Sequence, residues 1–194
     1  ILNSHLSLWC QQVTGVQRAA RSQVAGELRR CWRLQSQPLV SQAGAFLGYR
    51  LSLPAVPVGR LPTLPAAVHF SHVTSLTLTG MELTDSSDSF LQRFFNVRWL
   101  NLASNRFANI PAALLSMPRL SEVNLSGNQI SLTGSGAGRL SALTSVEVLH
   151  LENNPLSTLP NLSDMVHLRR LYLRNTQQQQ FPAGLSNHLF LILV

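Results

Sequence analysis

Val97-Arg-Trp-Leu100-Asn-Leu102-Ala-Ser-Asn105-Arg-Phe107 decides the fold. It reads apolar, two free positions, apolar, one free, apolar, two free, Asn, one free, apolar. The same order returns in Leu120-Ser-Glu-Val123-Asn-Leu125-Ser-Gly-Asn128-Gln-Ile130 and in Val146-Glu-Val-Leu149-His-Leu151-Glu-Asn-Asn154-Pro-Leu156. Leu100 and Leu102 alternate with Trp99, Asn101 and Ala103, which is the pattern of a short strand with one buried face. The apolar residues that follow, Phe107, Ile110 and Leu114, turn the chain back over the same core. Asn105, Asn128 and Asn154 each fall eight residues after a repeat start. The chain bends there, and a side-chain amide can bond the backbone groups that the bend leaves unpaired. Stacked through the repeats, these residues are expected to form a structural ladder.

This is the leucine-rich repeat pattern. Copies start at Val73, Val97, Leu120, Val146 and Leu168, and a broken copy starts at Leu189. A single repeat cannot bury its apolar face, so neighbours must stack. The expected fold is α/β: a right-handed leucine-rich repeat solenoid with a parallel concave sheet, preceded by an N-terminal amphipathic helix. Three segments follow. Residues 1–48 form a helical element and connector, residues 49–72 a degenerate capping repeat, and residues 73–194 the repeats, truncated in the last one. The chain opens on Ile1 and stops within a repeat, which reads as a segment of a longer protein.

Working outward, residues 1–35 read as one helix. Val13, Val16, Ala20, Val24, Leu28 and Cys31 recur at helical spacing on one arc, with Trp9 and Trp32 beside them as core anchors. Arg18, Arg21, Arg29 and Arg33 fall on the opposite, solvated face. In a continuous helix Cys10 and Cys31 stand about 30 Å apart, too far to bridge. Residues 36–48, rich in Gln, Ser and Gly around Pro38, read as a connector. The insertion Thr133-Gly-Ser-Gly-Ala-Gly138 carries too many glycines for a helix and reads as a surface loop.

Formal net charge is +7, and all fifteen basic residues are arginine. They are spread through helix, cap and repeats with no aromatic-basic strand motif, so no nucleic-acid partner is expected. The closing apolar run is too short for a transmembrane segment. His69 and His72 lack the further ligands that a structural zinc site needs. No catalytic, cofactor-binding or metal-binding set is expected, and both cysteines read as structural.

What the repeats offer is a surface. Strand residues between the buried leucines stack in columns: Ser75, Trp99, Glu122, Val148, Arg170, then Thr77, Asn101, Asn124, His150, Tyr172, then Thr79, Ala103, Ser126, Glu152, Arg174. The expected partner-binding residues on the concave face are Trp99, Asn101, Glu122, Asn124, His150, Glu152, Arg170, Tyr172 and Arg174. Tyr, Trp and Arg are the residues on which protein interfaces concentrate their binding energy.

The helix Val24-Ala-Gly-Glu-Leu-Arg-Arg-Cys31-Trp-Arg33, the cap Val58-Gly-Arg-Leu-Pro-Thr-Leu-Pro65 leading into Phe70-Ser-His-Val73, and the later Met117-Pro-Arg-Leu120 and Leu171-Tyr-Leu-Arg-Asn-Thr176 carry a resemblance. With them the chain resembles the leucine-rich repeat region of bacterial effectors that end in a novel E3 ubiquitin ligase (NEL) domain, of the dermonecrotic-toxin-like sub-type. The resemblance implies a module that selects a host protein target on the concave face, secreted by a bacterium and acting in the host cytoplasm. A domain outside this segment would engage a ubiquitin-conjugating enzyme and transfer ubiquitin through a cysteine in a Cys-x-Asp motif. Cys10-Gln-Gln12 and Cys31-Trp-Arg33 do not match that motif, so no catalytic residue is carried over. A stand-alone interaction module without ligase activity stays open as the alternative. The pattern departs at Thr176, where the ladder Asn is expected, and at Gln178, where an apolar residue is expected.

Overall fold

The computed structural model describes residues 1–157, 159–178, 183–185 and 192–193. Leu189 and Val194 of the last repeat copy, residues 179–180 of the glutamine run and the Phe181-Pro182 step lie outside the described residues.

The chain opens with two helices, α1 (Leu2–Gln11) and α2 (Gly15–Trp32). Among the described residues eight strands follow in one sheet in chain order: β1 (Gln37–Val40), β2 (Phe46–Ser52), β3 (Val73–Thr77), β4 (Trp99–Asn101), β5 (Glu122–Asn124), β6 (Val148–His150), β7 (Arg170–Tyr172) and β8 (Ile192–Leu193). β1 and β2 pair antiparallel, and every later pair is parallel. This is a leucine-rich repeat solenoid. Between strands the chain returns over the core through short helical turns, including α3 (Asp88–Leu91), a 3-10 turn over Ala112–Ser116, and α4 (Ser135–Ser141).

Leu100, Leu102, Phe107, Ile110 and Leu114 are all buried, as are their counterparts in the neighbouring repeats. Phe70 stacks on Phe94 with ring centroids 4.9 Å apart, and Phe90 tilts against Phe94 at 5.1 Å. These rings join the capping segment to the first repeat. A Leu→Ala change in such a column costs about 2–5 kcal/mol, because the stacked repeats cannot collapse into the gap.

The asparagines bind across repeats. Asn128 Nδ2 donates to Leu125 O at 3.0 Å in its own repeat and to Leu102 O at 3.1 Å in the preceding one. Its Oδ1 accepts from Phe107 N at 3.0 Å. Asn154 repeats this one step on, with Leu151 O, Leu125 O and Ile130 N. Asn105 does so one step back, with Leu102 O, Leu78 O and the amides of Met81 and Leu83. At Thr176 the hydroxyl is buried and donates only within its own repeat, to Leu173 O at 2.7 Å. Gln178 reaches back instead, its Nε2 donating to Leu156 O at 3.0 Å. The glutamine at an apolar position thus takes over part of the cross-repeat bonding that Thr176 is too short to make.

The N-terminal region departs from the sequence reading in five places. The single helix over 1–35 is two. Val13 and Thr14 are β-branched, Thr14 is extended, and Gly15 takes φ +61°, a conformation that glycine reaches at no steric cost. Cys10 and Cys31 therefore lie on different helices, and both are free thiols.

Ala20, Val24, Leu28 and Cys31 are buried as expected, but the edges of that face differ from the reading. Val16, expected in the core, is 83% exposed, while Arg21, expected in solvent, is 5% exposed. Arg21 Nε donates to Val58 O at 2.9 Å and its Nη1 to Trp9 O at 2.6 Å, with the guanidinium 4.9 Å from the Trp9 ring centre. Trp9 is buried, its Nε1 donating to Arg60 O at 2.7 Å. Trp32, expected as a second anchor, is 41% exposed and meets Phe70 edge to face.

The connector at 36–48 is instead largely the β1–β2 hairpin, with Pro38 on the sheet's edge strand, where a missing N–H is tolerated. Thr74 Oγ1 donates to Leu47 O at 2.9 Å and ties the hairpin to β3. The loop at 133–138 contains most of α4. Gly136 is buried against Asn109 with no room for a Cβ, and Arg139 Nη1 donates to Ile110 O at 2.9 Å. Gly136 allows the helix to lie close on the preceding repeat, a gain that outweighs its poor helix propensity.

Candidate functional site

The strand register builds the concave face. Arg50, Ser75, Trp99, Glu122, Val148 and Arg170 pair in one line across the sheet, and Ser52, Thr77, Asn101, Asn124, His150 and Tyr172 in the next. The leucines and valines between them, from Leu51 to Leu171, are buried on the other side. Because pairing is parallel and unshifted from β3 to β7, each column position is a translation of the one before.

Two clusters emerge. The first spans β5 to β7. His150 lies flat on Tyr172, ring centroids 4.2 Å apart and planes 6° from parallel. Its Nδ1 faces Glu152 Oε1 and its Nε2 faces Glu122 Oε1, each at 3.2 Å. A neutral imidazole donates through one nitrogen only, so both carboxylates are satisfied at once only by the imidazolium. Arg170 and Arg174 are exposed beside this cluster, without an ion-pair partner among the described residues.

The second cluster surrounds Trp99 at the N-terminal end. Trp99 lines a cavity of about 310 Å³ together with Leu39, Val40, Leu47, Arg50, Ser75 and Glu122. Four of these residues, Leu39, Val40, Leu47 and Arg50, belong to the hairpin and were not expected in the site. Arg50 had a usable signal: it directly precedes Leu51-Ser-Leu53, which places it in the column of Trp99. The other three depend on the hairpin folding beside the repeats.

Asn101 and Asn124 sit in the column as expected, but part of each amide is engaged locally. Asn101 Oδ1 accepts from Ala103 N at 3.0 Å, and Asn124 Oδ1 accepts from Ser126 N at 3.0 Å. They close the ends of their strands through these bonds.

The thiols lie away from this surface. Cys31 is fully buried, and that burial pushes its pKa from the ordinary value near 9 up to about 11. His72 Nε2 donates to Cys31 O at 2.7 Å. His69 is exposed and packs edge to face on Phe95, so the two histidines do not converge. No group of three His, Cys, Asp or Glu residues that could hold a metal occurs among the described residues. No helix among them is long and apolar enough to cross a membrane.

The family profile described as Leucine rich repeat matches residues 71–130, and that described as Leucine Rich repeats (2 copies) matches residues 144–187. The chain carries a leucine-rich repeat region. It is 31% identical over 109 residues to the probable serine/threonine-protein kinase pats1 of Dictyostelium discoideum, covering 55% of this chain and 3% of that protein. It is 32% identical over 122 residues to podocan-like protein 1 of Mus musculus, covering 58% of this chain and 21% of that protein. The chain thus spans a small part of the curated relatives it matches. Among solved structures, it shares the fold of the leucine-rich repeat domain of the type III effector XopL. That likeness covers 97% of this chain and 63% of that one, at a TM-score of 0.65 and 21% identity. It therefore takes in the N-terminal helices and hairpin as well as the repeats.

Proposed function

We propose that this leucine-rich repeat region is the target-recognition module of a larger bacterial effector, with the concave face binding a host protein. The observation that carries this is the in-register display of Trp99, His150, Tyr172, Arg170 and Arg174 on one rigid sheet face. A stacked His–Tyr pair and a half-exposed Trp lose little freedom on binding and bury much apolar area, which is how interface hot spots work.

The finer reading is that the parent is a secreted E3 ubiquitin ligase acting in the host cytoplasm. In it, a domain outside this segment meets the ubiquitin-conjugating enzyme and supplies the catalytic cysteine. The helix-plus-cap motifs quoted above support it, as does the sharing of a fold with an effector's repeat domain along nearly the whole chain. The chain's own cysteines fit a non-catalytic role: Cys31 is buried and held as a thiol. The absence of lysine fits a module that works beside ubiquitin transfer and offers no side-chain amine to it.

Capture from host lysate tests the first part. Wild type should retain a partner that Trp99→Ala with Tyr172→Ala releases by about thirtyfold in affinity. A partner held equally by both would move binding off the concave face. For the second part, the segment alone should form no ubiquitin thioester in the presence of activating and conjugating enzymes, whereas the full parent should. A reducible thioester on Cys10 or Cys31, or an inactive full parent, would overturn the ligase reading and leave the recognition reading standing.

A further inference from the structure

We propose that the Trp99 cavity takes one large apolar side chain of an extended peptide that carries an acidic residue two positions to one side and a basic residue two positions to the other. This deepens the reading of the concave face as the binding surface and rests on it. The cavity, of about 310 Å³, falls at the small end of ligand pockets and suits a single side chain. Of its lining residues, Ser75 on β3 lies in the sheet between Trp99 on β4 and Leu39, Val40 and Leu47 of the hairpin. Val40 is 61% exposed, so the wall it forms is apolar surface left uncovered by the chain itself.

The charges at the two ends are opposite. Arg50 lies one strand before Ser75, and Glu122 lies two strands after it. At about 4.8 Å per strand, the two charged positions are about 14 Å apart. An extended chain covers that span in four residues, at about 3.4 Å each, and its side chains at i, i+2 and i+4 face the same way. Among the described residues Arg50 has no ion-pair partner, and Glu122 has only His150. A carboxylate at one end of the peptide complements Arg50, a cation at the other complements Glu122, and the apolar residue between them enters the cavity.

Three fluorescein-labelled peptides test this, alike except for the charged residues two positions either side of Phe: Asp-Ser-Phe-Ser-Arg, Asp-Ser-Phe-Ser-Asp and Arg-Ser-Phe-Ser-Arg. Fluorescence anisotropy with the whole chain at low salt reads the affinities. The mixed-charge peptide should bind about tenfold more tightly than either like-charged one. Arg50→Glu should turn the preference to the peptide with two arginines, and Glu122→Arg to the one with two aspartates. Trp99→Ala should weaken the mixed-charge peptide by about thirtyfold. These comparisons hold whichever direction the peptide runs.

A preference that Arg50→Glu and Glu122→Arg leave unmoved overturns the proposal. So does binding indifferent to Trp99→Ala, or no binding by about 1 mM peptide. A captured host partner that is released by Tyr172→Ala but not by Trp99→Ala also overturns this pocket while keeping the concave face. A partner indifferent to both substitutions removes the broader reading as well.

Discussion

Asn128 in the central repeats and Arg21 in the N-terminal helix pair both tie up buried backbone carbonyls, by different chemistry. Asn128 needs only a short neutral amide, because the preceding repeat brings the same carbonyl and N–H to the same place. Its donor and its acceptor are both used, and no charge is buried. Arg21 works where nothing repeats. Its acceptors are Trp9 O, twelve residues back, and Val58 O, 37 residues ahead, and only a long side chain with several donors spans them. Burial pulls the Arg21 pKa below its ordinary value, and the Trp9 face and the two carbonyls offset the cost of keeping the charge there. Periodicity lets a cheap residue do at each step what the cap does once with an expensive one.

The largest effect is therefore expected at the cap. Arg21→Ala should lower unfolding free energy by about 3–5 kcal/mol, since it strands two carbonyls and leaves a void beside Trp9. Arg21→Lys should recover less than half, because one ammonium cannot span both acceptors. Urea denaturation followed by Trp fluorescence reads both. A loss under 1 kcal/mol would mean that the cap is held by its apolar contacts alone.

Asn128→Ala comes next, at about 2–3 kcal/mol, with Thr176→Ala below it at about 1 kcal/mol, since Thr176 makes a single bond within its own repeat. Replacing Thr176 by Asn should extend the cross-repeat bonding and stabilise the chain. Equal losses at the two positions would break the distinction between a bond across repeats and a bond within one.

A smaller effect follows from Cys31. Its folded pKa of about 11 lies above the ordinary thiol value, so the native state keeps a proton that the unfolded chain releases. Stability from this group is complete below about pH 9 and is lost as pH rises toward 11. Cys31→Ala, though less stable throughout, should lose less over that interval. Parallel pH curves for the two proteins would contradict the assignment.

The same contrast explains what the sequence made legible. In the repeats, position fixes role: knowing that Leu100 is buried places Trp99 and Asn101 on the concave side, and translation carries this to Glu122, His150 and Tyr172. In the cap, no repeat fixes the role of a position. Val16 lies in the first turn of the second helix and stays exposed, while Arg21, about 20° round that helix from Leu28, joins the edge of its buried face. The hairpin was hidden because Leu39, Val40 and Leu47 have no repeat to compare with, and because Pro38 and the glycines look like a connector. Gly136 could be read as helical only with Asn109 known to lie against it. The columns of the site were thus readable, while the wall of its N-terminal cavity was not.

The concave face, and not the opposite side, is expected to meet the partner. Site-specific photo-crosslinking compares them directly. A benzoylphenylalanine at Asn101, in the middle of the concave column, should join covalently to a host protein in lysate. The same group at Leu115, half-exposed on the return turn over the core, should not. Crosslinked product at 101 alone is the predicted result; product at 115 with none at 101 would contradict the account.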